Sequence, residues 1–92
     1  MTNKVNTIKL LGGDEVVAEI VDSQPGYIVV RRPVLVVMGQ QGFGFMPFML
    51  TAGMDITVEL ERSAIVSMAP TLIDVVKAYT THTVKQTTGL VV

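Results

Sequence analysis

The stretch from Ile8 to Arg32 constrains the fold more than any other part of the chain. It contains three runs of β-type residues in close succession, and two turn-forming segments separate them. Residues 12–14 (Gly-Gly-Asp) form the first junction, and residues 23–26 (Ser-Gln-Pro-Gly) form the second. Strand-like runs joined by turn residues of this kind predict an antiparallel meander. Such a meander is the front half of a small β-barrel, so we expect a mainly β fold.

The β pattern continues to about residue 70. Pro33 follows the third run, and because proline cannot donate a hydrogen bond, we expect a bend or an edge position there. In the second run, Val16, Ala18 and Ile20 form one face, which we expect to point inward. The other face carries Glu15, Val17, Glu19 and Val21, and its charges predict a solvent-facing surface. The expected strands are 5–10, 15–22, 27–32, 34–38, 43–48, 56–60 and 64–68, with turns at 39–42 and 61–63 and a loop at 50–55.

The apolar period changes after Pro70 and predicts one helix over about residues 71–82. Thr71 is a good N-cap, and Asp74 three residues later completes a capping-box variant and complements the helix dipole. The apolar positions follow the spacing i, i+3, i+4, i+7, which is typical of a single helical stripe. This stripe consists of Leu72, Val75, Val76 and Tyr79. Residues 83–92 are weakly patterned and are interpreted as a disordered tail.

The composition predicts association between copies of the chain. Its 92 residues make one domain, and 49% of them are hydrophobic. A domain of this size buries only about 60–65% of the surface of its unfolded chain. Much apolar material would then face water in a monomer, and large exposed apolar patches usually mark interfaces. We therefore expect a homo-oligomer, with an unusually apolar monomer as the alternative.

Charge and residue types exclude several classes of function. A net charge of -1 argues against strong nonspecific nucleic-acid binding, although local basic clusters stay possible. The chain has no Cys, which excludes disulfides, thiolate metal sites and a cysteine nucleophile. His82 is the only histidine, and no serine has an evident base partner. We therefore expect no enzymatic activity, no cofactor and no metal.

The location that we expect from the sequence is the cytoplasm. Residues 1–6 lack the apolar region of a secretory signal. The longest apolar run, Val34–Met38, is far too short to span a membrane.

Two short motifs resemble those of a known family. In the first, Leu10 is followed three residues later by Gly13. Val16, Ala18 and Ile20 then follow at every second position. The second is Arg62-Ser63 at the start of a short final strand. This spacing resembles that of the Sm-like (LSm/Hfq) superfamily. The resemblance implies a small, bent, five-stranded SH3-type barrel over about residues 5–70, assembly into rings of five to seven subunits, and RNA binding. With a helix after the barrel and a central Met-Pro-Phe stretch, the chain most resembles the short Sm-like proteins that phages encode.

The resemblance also implies candidate nucleic-acid-binding residues. The positions that match the family's base-binding slot are Gln24, Tyr27, Ile28 and Arg62. Tyr27 can stack on a base, and Arg62 can stack or donate hydrogen bonds, whereas Ile28 cannot hydrogen-bond to a base edge. Repeated around a ring, the pair Arg31-Arg32 would contact several phosphates. The alternative for this pair is a solvated strand end that discourages aggregation.

Subunit contacts are expected along the strand edges, at 64–68 and around 34–48. The candidate interface residues are Val34, Val36, Phe43, Phe45, Phe48, Ile65, Val66 and Met68. The phenylalanines and methionines of this segment are interpreted as core plus subunit contact, with an adaptable docking surface as the alternative. Two functions remain open: a ring that binds single-stranded RNA, and a scaffold ring that binds protein partners.

Overall fold

The computed structural model describes residues 4–53 and 55–88, with side chains up to Thr83. It confirms a mainly β fold with one C-terminal helix. In chain order, the elements are β1 (Lys4–Leu10), β2 (Glu15–Ser23), β3 (Tyr27–Gly39), β4 (Gly42–Pro47), β5 (Thr57–Glu61), a 3₁₀ turn (Arg62–Ala64), β6 (Ile65–Pro70) and α1 (Ile73–Thr88).

The strands form one bent antiparallel sheet of six strands that is not closed into a barrel, whereas a bent five-stranded barrel was expected. The strand order is β4-β3-β2-β1-β6, and β5 also pairs with β3. The long strand β3 divides its outer edge between two partners: residues 27–31 pair with β5 and residues 34–39 pair with β4. Within the described residues, β4, β5 and β6 pair with no other outer strand, and the sheet therefore keeps open margins.

The bend predicted at Pro33 is present. Pro33 lies where β3 changes partner, and its neighbour Arg32 has a left-handed backbone with φ of 52°. The register between β2 and β3 shifts at the same place. Because of this shift, Ile28 and Val30 before the bend face the same side as Leu35 after it. The two strands predicted on either side of Pro33 are thus one bent strand.

The sheet has a core on each face. The first core contains Ile8, Val16, Ala18, Ile28, Val30 and Leu60. The second contains Val17, Val34 and Tyr79, where α1 packs against the opposite face. The prediction that Val17 faces solvent was wrong, because α1 covers this part of the sheet and leaves Val17 only 1% exposed. Val21, farther along β2 where the register with β3 shifts again, is 38% exposed.

The start and the end of α1 differ from the prediction. The helix begins at Ile73, and the carbonyl of Leu72 accepts its first hydrogen bond, from the Val76 N–H at 2.9 Å. Leu72 is therefore the N-cap, while the Thr71 hydroxyl bonds to that of Thr7 at 2.9 Å. Leu72 is also 76% exposed and does not belong to the buried stripe.

At its other end, α1 continues to Thr88, beyond the predicted end at residue 82. The segment expected to be disordered is therefore helical as far as Thr88, and residues 89–92 lie outside the described residues.

Candidate binding surfaces

The turn between β2 and β3 and the 3₁₀ turn bring three of the predicted nucleic-acid-binding residues together. The Gln24 N–H donates to the Tyr27 carbonyl at 2.8 Å and closes the β2–β3 turn. Arg62 donates from Nε to the Gln24 carbonyl at 2.6 Å and from Nη2 to the Ser23 hydroxyl at 2.6 Å. Its backbone N–H donates to the Gly26 carbonyl at 3.0 Å. Gln24, Tyr27 and Arg62 therefore form one surface, called here the turn cluster.

Acidic groups surround the turn cluster. Asp22 accepts hydrogen bonds from the Ser23 N–H at 2.9 Å and from the Gln24 side chain at 3.0 Å. Glu61 lies directly opposite Tyr27 in the β3–β5 pair. Ile28 is fully buried in the first core, so it takes no part in this surface. The turn cluster thus offers one aromatic ring and one guanidinium beside two carboxylates, and negative charge disfavours a phosphate backbone.

Arg31 and Arg32 lie apart from the turn cluster. Arg31 lies four positions after Tyr27 along β3, a distance of about 13 Å. Arg32 pairs through Nη1 with Glu19 at 3.2 Å and through Nε with Asp55 at 3.1 Å. Arg31 Nε lies 3.5 Å from the same Asp55 oxygen. Two guanidiniums thus face two carboxylates, and the local charge is balanced.

Tyr79 connects α1 to this group, and sequence reasoning gave it only a packing role. Its hydroxyl donates to the Arg32 carbonyl at 2.8 Å and lies 3.3 Å from the Arg31 carbonyl. Burial, followed by the nearby charge of Glu19, raises the pKa of the Tyr79 hydroxyl well above its ordinary value. A buried tyrosine hydroxyl needs a hydrogen-bond partner, so the position of Tyr79 in the apolar stripe could have predicted this polar contact.

Apolar side chains are exposed along β6, the strand at one end of the sheet order. β6 pairs with β1, and Met68 lies directly opposite the buried Ile8. Residues opposite each other in an antiparallel pair share a face of the sheet, so Met68 belongs to the margin of the first core. Yet Met68 is 41% exposed, and Val66, the extra residue where the β1–β6 register shifts, is 57% exposed.

The other end of the sheet is the hairpin of β3 and β4, which also exposes apolar side chains. As predicted, a turn at Gln40-Gln41 joins the two strands. Near the tip, Met38 is 78% exposed and Phe43 is 45% exposed. Phe43 packs edge-to-face on Phe45 with ring centroids 5.5 Å apart. An open groove of about 400 Å³ runs past these residues toward the start of α1.

The structure divides the predicted interface residues into two groups. Val34 is fully buried in the second core, so it is a core residue and not a surface contact. Val36 and Phe45 pack against the second core, and Phe48 and Ile65 pack against the first. The members with exposed side chains are Phe43, Val66 and Met68.

No protein-family model matches the chain, and no curated protein matches it. No helix in the described part of the chain combines the length and the apolar character needed to cross a membrane. Among the described residues, no group of three or more His, Asp or Glu side chains could hold a metal ion. The surfaces described above are therefore the basis for a functional proposal.

Proposed function

We propose that this chain is a scaffold domain whose copies join their sheet margins into a ring that holds protein partners. The observation that carries the proposal is the β6 margin. Val66 and Met68 expose apolar surface there, and among the described residues the outer edge of β6 has no partner strand. An exposed apolar edge strand promotes pairing with another chain unless something covers it.

The ends of the sheet suit head-to-tail assembly. β6 lies at one end of the strand order and β4 at the other, so a contact between the two joins different surfaces of two copies. Contacts of this heterologous kind close into rings when the rotation between copies permits. The resemblance of the Leu10–Gly13 and Arg62-Ser63 motifs to those of Sm-like proteins supports a ring of five to seven subunits.

A second candidate is single-stranded RNA binding by the same ring. The turn cluster favours it, because it gathers Gln24, Tyr27 and Arg62 on one surface. Two observations rank it below the scaffold. The arginines that would contact phosphates are balanced by Glu19 and Asp55, and acidic groups flank the turn cluster.

Substitutions at the β6 margin test the assembly. Met68→Glu places a charge where the proposal buries an apolar side chain, so we expect light scattering after size exclusion to give a mass reduced to that of one copy. Val21→Glu is the matched control, because Val21 is also exposed but lies away from both ends of the sheet. Circular dichroism verifies that both variants fold. A folded Met68→Glu variant with the native mass contradicts the proposal.

The choice between protein and RNA requires a binding measurement. We expect fluorescence anisotropy with oligo-U and oligo-A to give dissociation constants weaker than about 100 μM at about 50 mM salt, the level of nonspecific binding. Tighter binding that Tyr27→Ala abolishes would favour RNA over a scaffold. A pull-down that recovers only nucleic acid would do the same.

A further inference from the structure

We infer that Arg31 and Arg32 form a masked binding site for a phosphate group, in which the Asp55 carboxylate occupies the position of the ligand. A phosphate that displaces Asp55 would be held by both guanidiniums. The residues concerned belong to one copy of the chain, so the site does not depend on assembly.

The bend in β3 brings the two guanidiniums together. Consecutive residues of a regular strand point to opposite faces of the sheet. Arg32 departs from this rule because its backbone is left-handed, with φ of 52°, where the register with β2 shifts. Arg31 Nε and Arg32 Nε therefore lie 3.5 Å and 3.1 Å from one oxygen, Oδ1 of Asp55.

The surrounding structure holds this conformation in place. A left-handed backbone is unfavourable for a residue with a side chain, and it persists only where neighbouring groups enforce it. The Arg32 N–H donates to the Ile56 carbonyl at 2.9 Å, and the Tyr79 hydroxyl donates to the Arg32 carbonyl at 2.8 Å. Strain of this kind is found most often at binding and active sites.

Exposure identifies Asp55 as the group that a ligand would replace. The Asp55 side chain is 47% exposed and lies in the connection between β4 and β5, whereas the Glu19 side chain is 16% exposed within β2. If Asp55 leaves, Glu19 is the one carboxylate among the described residues that still pairs with these guanidiniums, and the site becomes cationic. Arginine donates two parallel hydrogen bonds to phosphate as readily as to carboxylate.

The chemistry specifies a phosphate group but not its source, which is either a nucleic-acid backbone or a small phosphorylated molecule. Two probes distinguish these sources: pyrophosphate, measured by calorimetry, and a labelled oligo-U, measured by anisotropy. The oligonucleotide alone would respond if the site reads a backbone. Binding of pyrophosphate, with or without binding of the oligonucleotide, would indicate that the site takes a small phosphorylated ligand.

The test variant is Asp55→Asn, which removes the competing charge and keeps the size of the side chain. We expect it to bind at least one probe tenfold or more tightly than the native chain does. Glu59→Gln is the matched control, because it changes the net charge equally from an exposed position on the neighbouring β5. We expect this control to alter affinity by less than about twofold.

A second substitution removes one guanidinium and preserves the bend. Glycine adopts a positive φ without strain, so Arg32→Gly should fold, and in the Asp55→Asn background it should abolish the gain in affinity. The inference is overturned if Asp55→Asn binds neither probe more tightly than the native chain, or if Glu59→Gln gives an equal gain. Sedimentation of the same samples measures assembly separately. A monomeric result would therefore contradict the scaffold proposal without contradicting the phosphate site.

Discussion

Tyr79 is the residue that joins the helix to the bend in β3. Its ring packs in the second core with Val17 and Val34, and it lies edge-to-face with Phe45 at 6.3 Å between centroids. Its hydroxyl donates to the backbone carbonyl of Arg32. One side chain thus contributes both apolar packing and the hydrogen bond that supports a strained backbone.

Tyr79→Phe separates these two contributions. The ring remains, but the Arg32 carbonyl loses its donor, so we expect the free energy of unfolding to fall by about 0.5–1.5 kcal/mol. Urea denaturation measures this change. Tyr27→Phe is the control, because Tyr27 is only half-buried, and a change within about 0.5 kcal/mol is expected there. Equal effects of the two substitutions would contradict the role assigned to the Tyr79 hydroxyl.

Alkaline pH should also destabilise the fold through Tyr79. Burial raises the pKa of this hydroxyl in the folded state above the ordinary value of 10.0. As the pH rises beyond about 10, the unfolded chain releases this proton and the folded chain keeps it, so stability falls. We expect the free energy of unfolding to decline less steeply in Tyr79→Phe than in the native chain between about pH 9 and pH 11. Parallel profiles for the two proteins would contradict the raised pKa.

The strand β2 contributes side chains to both cores. Val16 and Ala18 face the first core, and Val17 between them faces the second. Val17→Asp would bury an unpaired charge, which costs several kcal/mol, so we expect this variant not to fold. Val21→Asp, at an exposed position of the same strand, should fold normally. Circular dichroism decides, and a folded Val17→Asp variant would show that α1 does not cover this face.

The sequence predicted those parts of the fold that local signals determine. Gly, Pro and alternating apolar residues identified the turns, the bend at Pro33 and most strands, and the change of period identified the helix after Pro70. The burial of Val17 could not be predicted in the same way, because it depends on where α1 packs. The N-cap was misassigned because Thr71 bonds to Thr7, a partner far away in the chain.

In the candidate sites, too, the sequence predicted local features but not contacts between distant parts of the chain. Gln24, Tyr27 and Arg62 were proposed together, and hydrogen bonds link Gln24 to the other two, while their part in binding stays a prediction. The charge balance of Arg32 was not foreseen, because Asp55 lies 23 residues away in a segment without regular pattern. The left-handed conformation of Arg32 was equally hidden, since arginine carries no signal for a positive φ.

The whole molecule is a bent sheet with a core on each face and exposed apolar side chains at both ends of its strand order. The helix α1 covers the second core, and β6, which pairs with β1 beside the first core, carries the exposed Met68. The hairpin of β3 and β4 exposes Met38 and Phe43 at the opposite end of the strand order. A second copy that brought its hairpin to this margin would cover apolar surface on both molecules.

The molar mass of the native chain in solution tests this account most directly. Sedimentation equilibrium at micromolar concentration should give a multiple of 9.9 kDa, with five to seven copies in the closed assembly. A well-folded particle of 9.9 kDa at every concentration would contradict the proposal that the sheet margins join copies of this chain.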